Sequence, residues 1–102
     1  MNWELLNRTD YSKPRIIKNA LRNITALERA AENGDQVAAS IVIDLRNAMQ
    51  TDGVLSFKQK RYLQLWLDGH RQIDIAMMFR VSQEAIAGKI NRATKNISLF
   101  LT

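Results

Sequence analysis

Cysteine is absent from the 102 residues and histidine occurs once, as His70. The first absence excludes a disulfide framework, a thiolate nucleophile and any zinc site built on cysteine, and the second leaves no histidine set to hold a metal. Proline is confined to Pro14 and glycine to four positions, and there is no Ser/Gly-rich linker, low-complexity tract or internal repeat. No window reaches the roughly 18 apolar residues of a membrane-crossing helix. The stretch Met1 to Arg8 lacks the basic start and continuous apolar run of a secretion signal. The expectation from these absences is a soluble, cytoplasmic protein with no membrane partner, no metal and no cofactor. No Ser/His/Asp set, Gly-rich phosphate loop or paired-carboxylate pocket is visible either, so enzyme chemistry has no residues to rest on.

What is present is an apolar content of 46%, enough for one modest core in a chain of this length. The formal net charge is +5, and it is unevenly spread. Met1 to Val54 holds seven Lys/Arg and seven Asp/Glu, whereas Leu55 to Thr102 holds eight Lys/Arg against three Asp/Glu. A basic half on a neutral half points to a polyanion, and to nucleic acid before membrane, because no strongly amphipathic terminal helix stands alone. A basic surface kept for solubility is the plainer alternative.

Periodicity and capping residues predict an all-α fold. Tyr11-Ser12-Lys13-Pro14 opens a helix, since proline suits the first turn. Ile17, Ala20, Leu21, Ile24, Leu27 and Ala31 then recur at helical spacing to about Asn33. Gly34 stops that helix and Asp35 caps the next, which carries Val37, Ile41, Val42, Leu45, Ala48 and Met49 and closes at Thr51-Asp52-Gly53. Ile41-Val42-Ile43 is β-prone, but its surroundings favour helix. Residues 1–53 therefore read as an N-terminal helical pair, a hairpin, and 54–102 as a second unit.

That second unit opens with a capping box, Ser56 followed by Gln59, on a helix carrying Leu63, Trp66 and Leu67 and ending at Asp68-Gly69. A short helix spans about Gln72 to Phe79, with Ile75, Ala76 and Phe79 inward. Arg80-Val81 then turns the chain, Val81 filling the space under the turn, and Ser82 caps a third helix. Ile86, Ile90, Ala93 and Ile97 form its inner stripe, while Glu84, Gly88, Asn91 and Lys95 face the other way. A short helix, a tight turn and a capped helix with an exposed polar stripe meet the requirements of a helix-turn-helix, with Ala76 small where the two helices cross.

Leu55-Ser56-Phe57-Lys58-Gln59, Gly69-His70-Arg71-Gln72-Ile73-Asp74-Ile75-Ala76 and Val81-Ser82-Gln83-Glu84-Ala85-Ile86 resemble the fourth conserved region of bacterial sigma factors. The likeness covers about Leu55 to Ile97. With a helical pair in front, the layout is similar to small sigma-like regulators encoded by bacteriophages and prophages. The resemblance implies a transcription regulator that binds double-stranded DNA and contacts RNA polymerase. Arg71 stands where Ser or Thr usually caps the second helix, Asp74 where Glu is usual, and Arg80 where Gly commonly permits the turn. A non-Gly residue at positive φ is uncommon, so a distorted or longer turn is expected at Arg80.

The candidate DNA-binding residues are Arg71, Arg80, Ser82, Gln83, Glu84, Ala87, Gly88, Lys89, Asn91, Arg92 and Lys95. Gln83, Glu84 and Asn91 are suited to base edges, and Lys89, Arg92 and Lys95 to phosphates. Ala87 and Gly88 remove two side chains from the expected DNA face. Lys13, Arg15, Lys18 and Arg22 form a basic run best read as a solvated face, His70 reads as a loop residue, and Phe57, Trp66 and Phe79 read as core. The competing readings are a DNA-packaging protein of the small-terminase kind, a homo-oligomer assembled through the first two helices, and a helix-turn-helix that has lost DNA and grips another protein.

Overall fold

The computed structural model describes residues 11–102. Met1 to Arg8, read above for a secretion signal, lies outside the described residues. Among the described residues the elements are all helical, with no strand: α1 (Pro14–Arg22), α2 (Ile24–Glu32), α3 (Gln36–Gln50), α4 (Phe57–Leu67), α5 (Gln72–Phe79) and α6 (Gln83–Leu101). None of these helices is long and apolar enough to cross a membrane.

The single first helix expected from Pro14 to about Asn33 is two helices, divided at Asn23. The Asn23 side-chain amide donates to the Asn19 carbonyl at 2.8 Å, and the residue sits at φ −103°, ψ 20°. A side chain that binds the local backbone competes with the helical ladder, which is why Asn is a poor interior helix residue. The apolar spacing runs straight across the break, because Ile17, Ala20 and Leu21 on α1 and Ile24 and Leu27 on α2 are all buried.

Other boundaries fall where the capping chemistry places them. The Asp35 carboxylate accepts from the Ala38 N–H at 3.0 Å. The capping box at α4 is reciprocal, with the Gln59 N–H donating to Ser56 Oγ at 3.1 Å and the Ser56 N–H to Gln59 Oε1 at 2.9 Å. Ile41-Val42-Ile43 lies inside α3, where Ile41 is buried and Ile43 faces outward. The helices α2 and α3 pack on one another across the Gly34 turn, and Glu28 pairs with Arg46 between them.

The core is organised around α6, against which α1, α3, α4 and α5 all pack. Ile86, Ile90, Ala93 and Ile97 are fully buried, and so, nearly, are Thr94 and Ser98. Both buried hydroxyls have partners: Thr94 donates to the Asn91 carbonyl at 2.8 Å, and Ser98 donates to the Tyr11 carbonyl. Tyr11 in turn donates from its hydroxyl to Asp44 on α3 at 3.2 Å. The buried residues from α1 to α6 form one continuous cluster.

Ala76 is 4% exposed, on the side of α5 turned into this core. Replacing it with leucine adds three carbons where α5 meets α6, so Ala76→Leu should cost roughly 1–3 kcal/mol through overpacking. Urea denaturation followed by circular dichroism measures this, and an unchanged midpoint would mean that the crossing has room to spare.

Candidate nucleic-acid interface

Between α5 and α6 the chain turns through Arg80, Val81 and Ser82. Three helices of this protein end in the same way, with a left-handed residue whose N–H and whose successor's N–H bond back into the last turn. After α2 the pair is Gly34 to Ala31 and Asp35 to Ala30, both at 3.0 Å. After α4 it is Gly69 to Trp66 and His70 to Leu65, both at 3.1 Å. After α5 it is Arg80 to Met77 at 3.4 Å and Val81 to Ala76 at 3.0 Å.

Arg80, at φ 55°, is thus in the conformation that glycine holds at the other two, and among the described residues it alone has a positive φ without being glycine. The expected distortion or lengthening of the turn does not occur. The backbone keeps its ordinary hydrogen bonds, and the cost is the steric strain of a Cβ in the left-handed region. Val81, expected beneath the turn, is 42% exposed instead. The buried residues on either side of the turn are Ile75 and Ala76 on α5 and Ile86 on α6.

Ser82 starts α6 by accepting from the Ala85 N–H at 3.1 Å. From there Gln83, Glu84, Asn91, Arg92 and Lys95 are exposed, while Ala87, Gly88 and Lys89 are half-buried. At 100° per residue, Glu84, Gly88, Arg92 and Lys95 fall opposite the Ile86–Ile97 stripe, whereas Ala87 lies beside it. A Cβ built on Gly88 meets no heavy atom within 4 Å, so the chain's own packing gives no reason for glycine there.

Asn91 is not a bare reader of this face. Its Oδ1 accepts from Lys18 Nζ at 2.9 Å. Together with the Ser98–Tyr11 bond, this contact lays α1 antiparallel along one flank of α6. The basic run read as a solvated face therefore has structure: Lys18 holds Asn91, and the Arg22 guanidinium lies over the Trp66 ring, 5.6 Å from its centroid. Lys13 and Arg15 are exposed. Spacing within α1 does not foretell which helix will lie beside it, so this contact was illegible in the sequence.

Arg71 precedes α5 without capping it. Its guanidinium grips Asp74 with two bonds, Nε to Oδ2 at 2.9 Å and a terminal nitrogen to Oδ1 at 3.2 Å. The hydrogen bond from Arg71 holds the Asp74 carboxyl below the usual carboxylate range, and the same bond raises Arg71 further. Much of the charge that Arg71 would offer a phosphate is thereby already matched. His70 is an exposed loop residue. Trp66 and Phe79 pack partly against the core, Phe79 edge-on to Tyr62 with centroids 4.9 Å apart. Phe57, expected in the core, is 78% exposed. It directly follows the cap, and Leu55, on the other side of Ser56, is buried in its stead.

Comparison of the chain with protein-family models, curated proteins and solved structures finds no match. Among the described residues no group of three or more His, Cys, Asp or Glu side chains gathers in a way that could hold a metal ion.

The strain at Arg80 is open to measurement. Arg80→Gly should stabilise the fold by about 0.5–1 kcal/mol, the left-handed strain relieved less the added freedom of the unfolded chain. A destabilised Arg80→Gly protein would show that the arginine side chain makes a compensating contact.

Proposed function

We propose that the protein is a double-stranded DNA-binding regulator of sigma-like type, with α5, the Arg80 turn and α6 acting as a helix-turn-helix. The observation that carries the reading is the outer side of α6. It begins at a serine-capped N-terminus, is exposed at Gln83, Glu84 and Ala85, and bears the exposed Arg92 and Lys95 within the half of the chain that holds all the excess positive charge. Helix-turn-helix proteins place the N-terminal residues of such a helix in the major groove, with cations beside it on phosphates. The resemblance of Leu55 to Ile97 to the fourth sigma region supports the same reading and extends it to contact with RNA polymerase.

In this assignment Gln83 and Glu84 meet base edges, and Asn91 does so with the amide nitrogen that Lys18 leaves available. Arg92, Lys95 and Lys89 approach phosphates, and Lys18 brings a cation from α1 to the flank of the same groove. Arg92→Ala should weaken binding to every duplex alike and lower the slope of log affinity against log salt by about one unit, since each phosphate contact releases about one counterion. Asn91→Ala should leave the slope nearly unchanged and cost about 1–3 kcal/mol only on a sequence selected from random duplex DNA. Fluorescence anisotropy at several salt concentrations separates the two. If neither substitution changes binding, α6 does not read DNA.

Gly88 gives an independent check. Alanine has the better helix propensity by about 1 kcal/mol, and the site is open on its own chain. Gly88→Ala should therefore raise thermal stability, while weakening duplex binding if glycine is there for close approach of the groove wall. Unchanged affinity would remove Gly88 from the interface.

A further inference from the structure

A second surface has no place in the DNA reading. Phe57 and Met78 are 78% and 52% exposed, a departure for large apolar side chains that line the same surface of a small protein. Between α3, α4 and α5 lies an open groove of about 810 Å³. Its floor is Met49, Phe57, Leu65, Met78 and Phe79. Arg46, Lys60 and Arg61 stand around that floor, and no carboxylate lines it. Arg46 is held from behind by Glu28 on α2, and the Arg61 guanidinium lies over the Phe79 ring, 5.2 Å from its centroid.

We infer that this groove binds an amphipathic helix of another protein, one whose apolar stripe is flanked by acidic residues. An apolar trough between helices accepts side chains spaced three and four apart, which is how a helix presents its apolar stripe. Unbranched methionines can adapt to the shape of what enters. The rim selects the flanks: Lys60 and Arg61, with no lining carboxylate beside them and with Arg46 already matched by Glu28, are complementary to Asp and Glu and repel a basic helix. The same rim disfavours a second copy of this chain. A two-fold contact through the groove would set one basic rim against another. It also disfavours nucleic acid, whose phosphates would pair with the cations but leave the apolar floor wet. The inference does not depend on whether α6 reads DNA.

The test uses two synthetic fluorescein-labelled helices of identical Leu stripe, one flanked by Glu and one by Lys, titrated with the full chain. The Glu-flanked helix should bind and the Lys-flanked one should not. Phe57→Ser and Met78→Ser should each weaken binding about ten-fold, the loss of one largely buried apolar side chain. Both residues are exposed, so circular dichroism should be unchanged. A Lys60→Glu, Arg61→Glu double variant should reverse the preference and take up the Lys-flanked helix. Equal binding of the two helices, no binding of either, or affinity unmoved by Met78→Ser would each overturn the inference. So would a concentration-dependent dimer in sedimentation that Met78→Ser abolishes, because the groove's occupant would then be a second copy.

Discussion

Everything in this fold depends on one helix keeping two faces apart. One side of α6 buries Ile86, Ile90, Ala93, Thr94, Ile97 and Ser98, and the other holds Glu84, Gly88, Arg92 and Lys95 away from the core. Each fully buried isoleucine is worth roughly 1.5–3 kcal/mol relative to exposure, and a slip of one residue would rotate the stripe by about 100° and forfeit most of it. The register is set at the start of the helix. Ser82 fixes its first turn by accepting from Ala85, and Arg80 fixes where α5 must stop. A strained left-handed arginine is tolerated because moving the turn by one position would misplace four packed helices at once.

The same helix binds the two halves of the chain together. Neither α1 nor α3 belongs to the basic half, yet both pack on α6, and Tyr11, just before α1, links α6 to α3 by accepting from Ser98 at its carbonyl and donating from its hydroxyl to Asp44. The neutral half thus completes the burial of α6 and is not a separate appendage to it. It also sets what the outer face can present, because Lys18 from α1 occupies one acceptor of Asn91.

How much of this was legible in the sequence follows from which forces are local. Caps and left-handed stops act over three or four residues, so Asp35, Ser56 with Gln59, Gly69 and Ser82 placed their helix ends correctly. The inner stripe of α6 was legible for the same reason, through spacing alone. The break at Asn23 was not, because it leaves the apolar period intact and arises from one side-chain hydrogen bond. Phe57 and Val81 were misplaced because apolarity predicts burial only where tertiary neighbours exist, and of the two apolar residues flanking Ser56 only Leu55 meets the core. The candidate DNA face could be assembled from helical geometry, whereas the Lys18–Asn91 contact and the groove require knowing which helices are adjacent.

The two surfaces share α5, and its packing governs how they can communicate. Met78 and Phe79 belong to the groove, Arg80 to the turn before α6, and Ile75 and Ala76 lie buried between them. Coupling between two sites requires an element with two arrangements of similar energy, each favoured by a different ligand. The eight residues of α5 offer no such element: Ile75 is fully buried, Ala76 nearly so, and the last turn is closed by the Met77 and Ala76 carbonyls. Lifting the last turn of α5 would break those bonds and open the core. A helix seated in the groove and a duplex seated on α6 would therefore be held by one rigid body, each with its own affinity. The second partner would be brought to DNA by tethering, with no change in how the DNA is read.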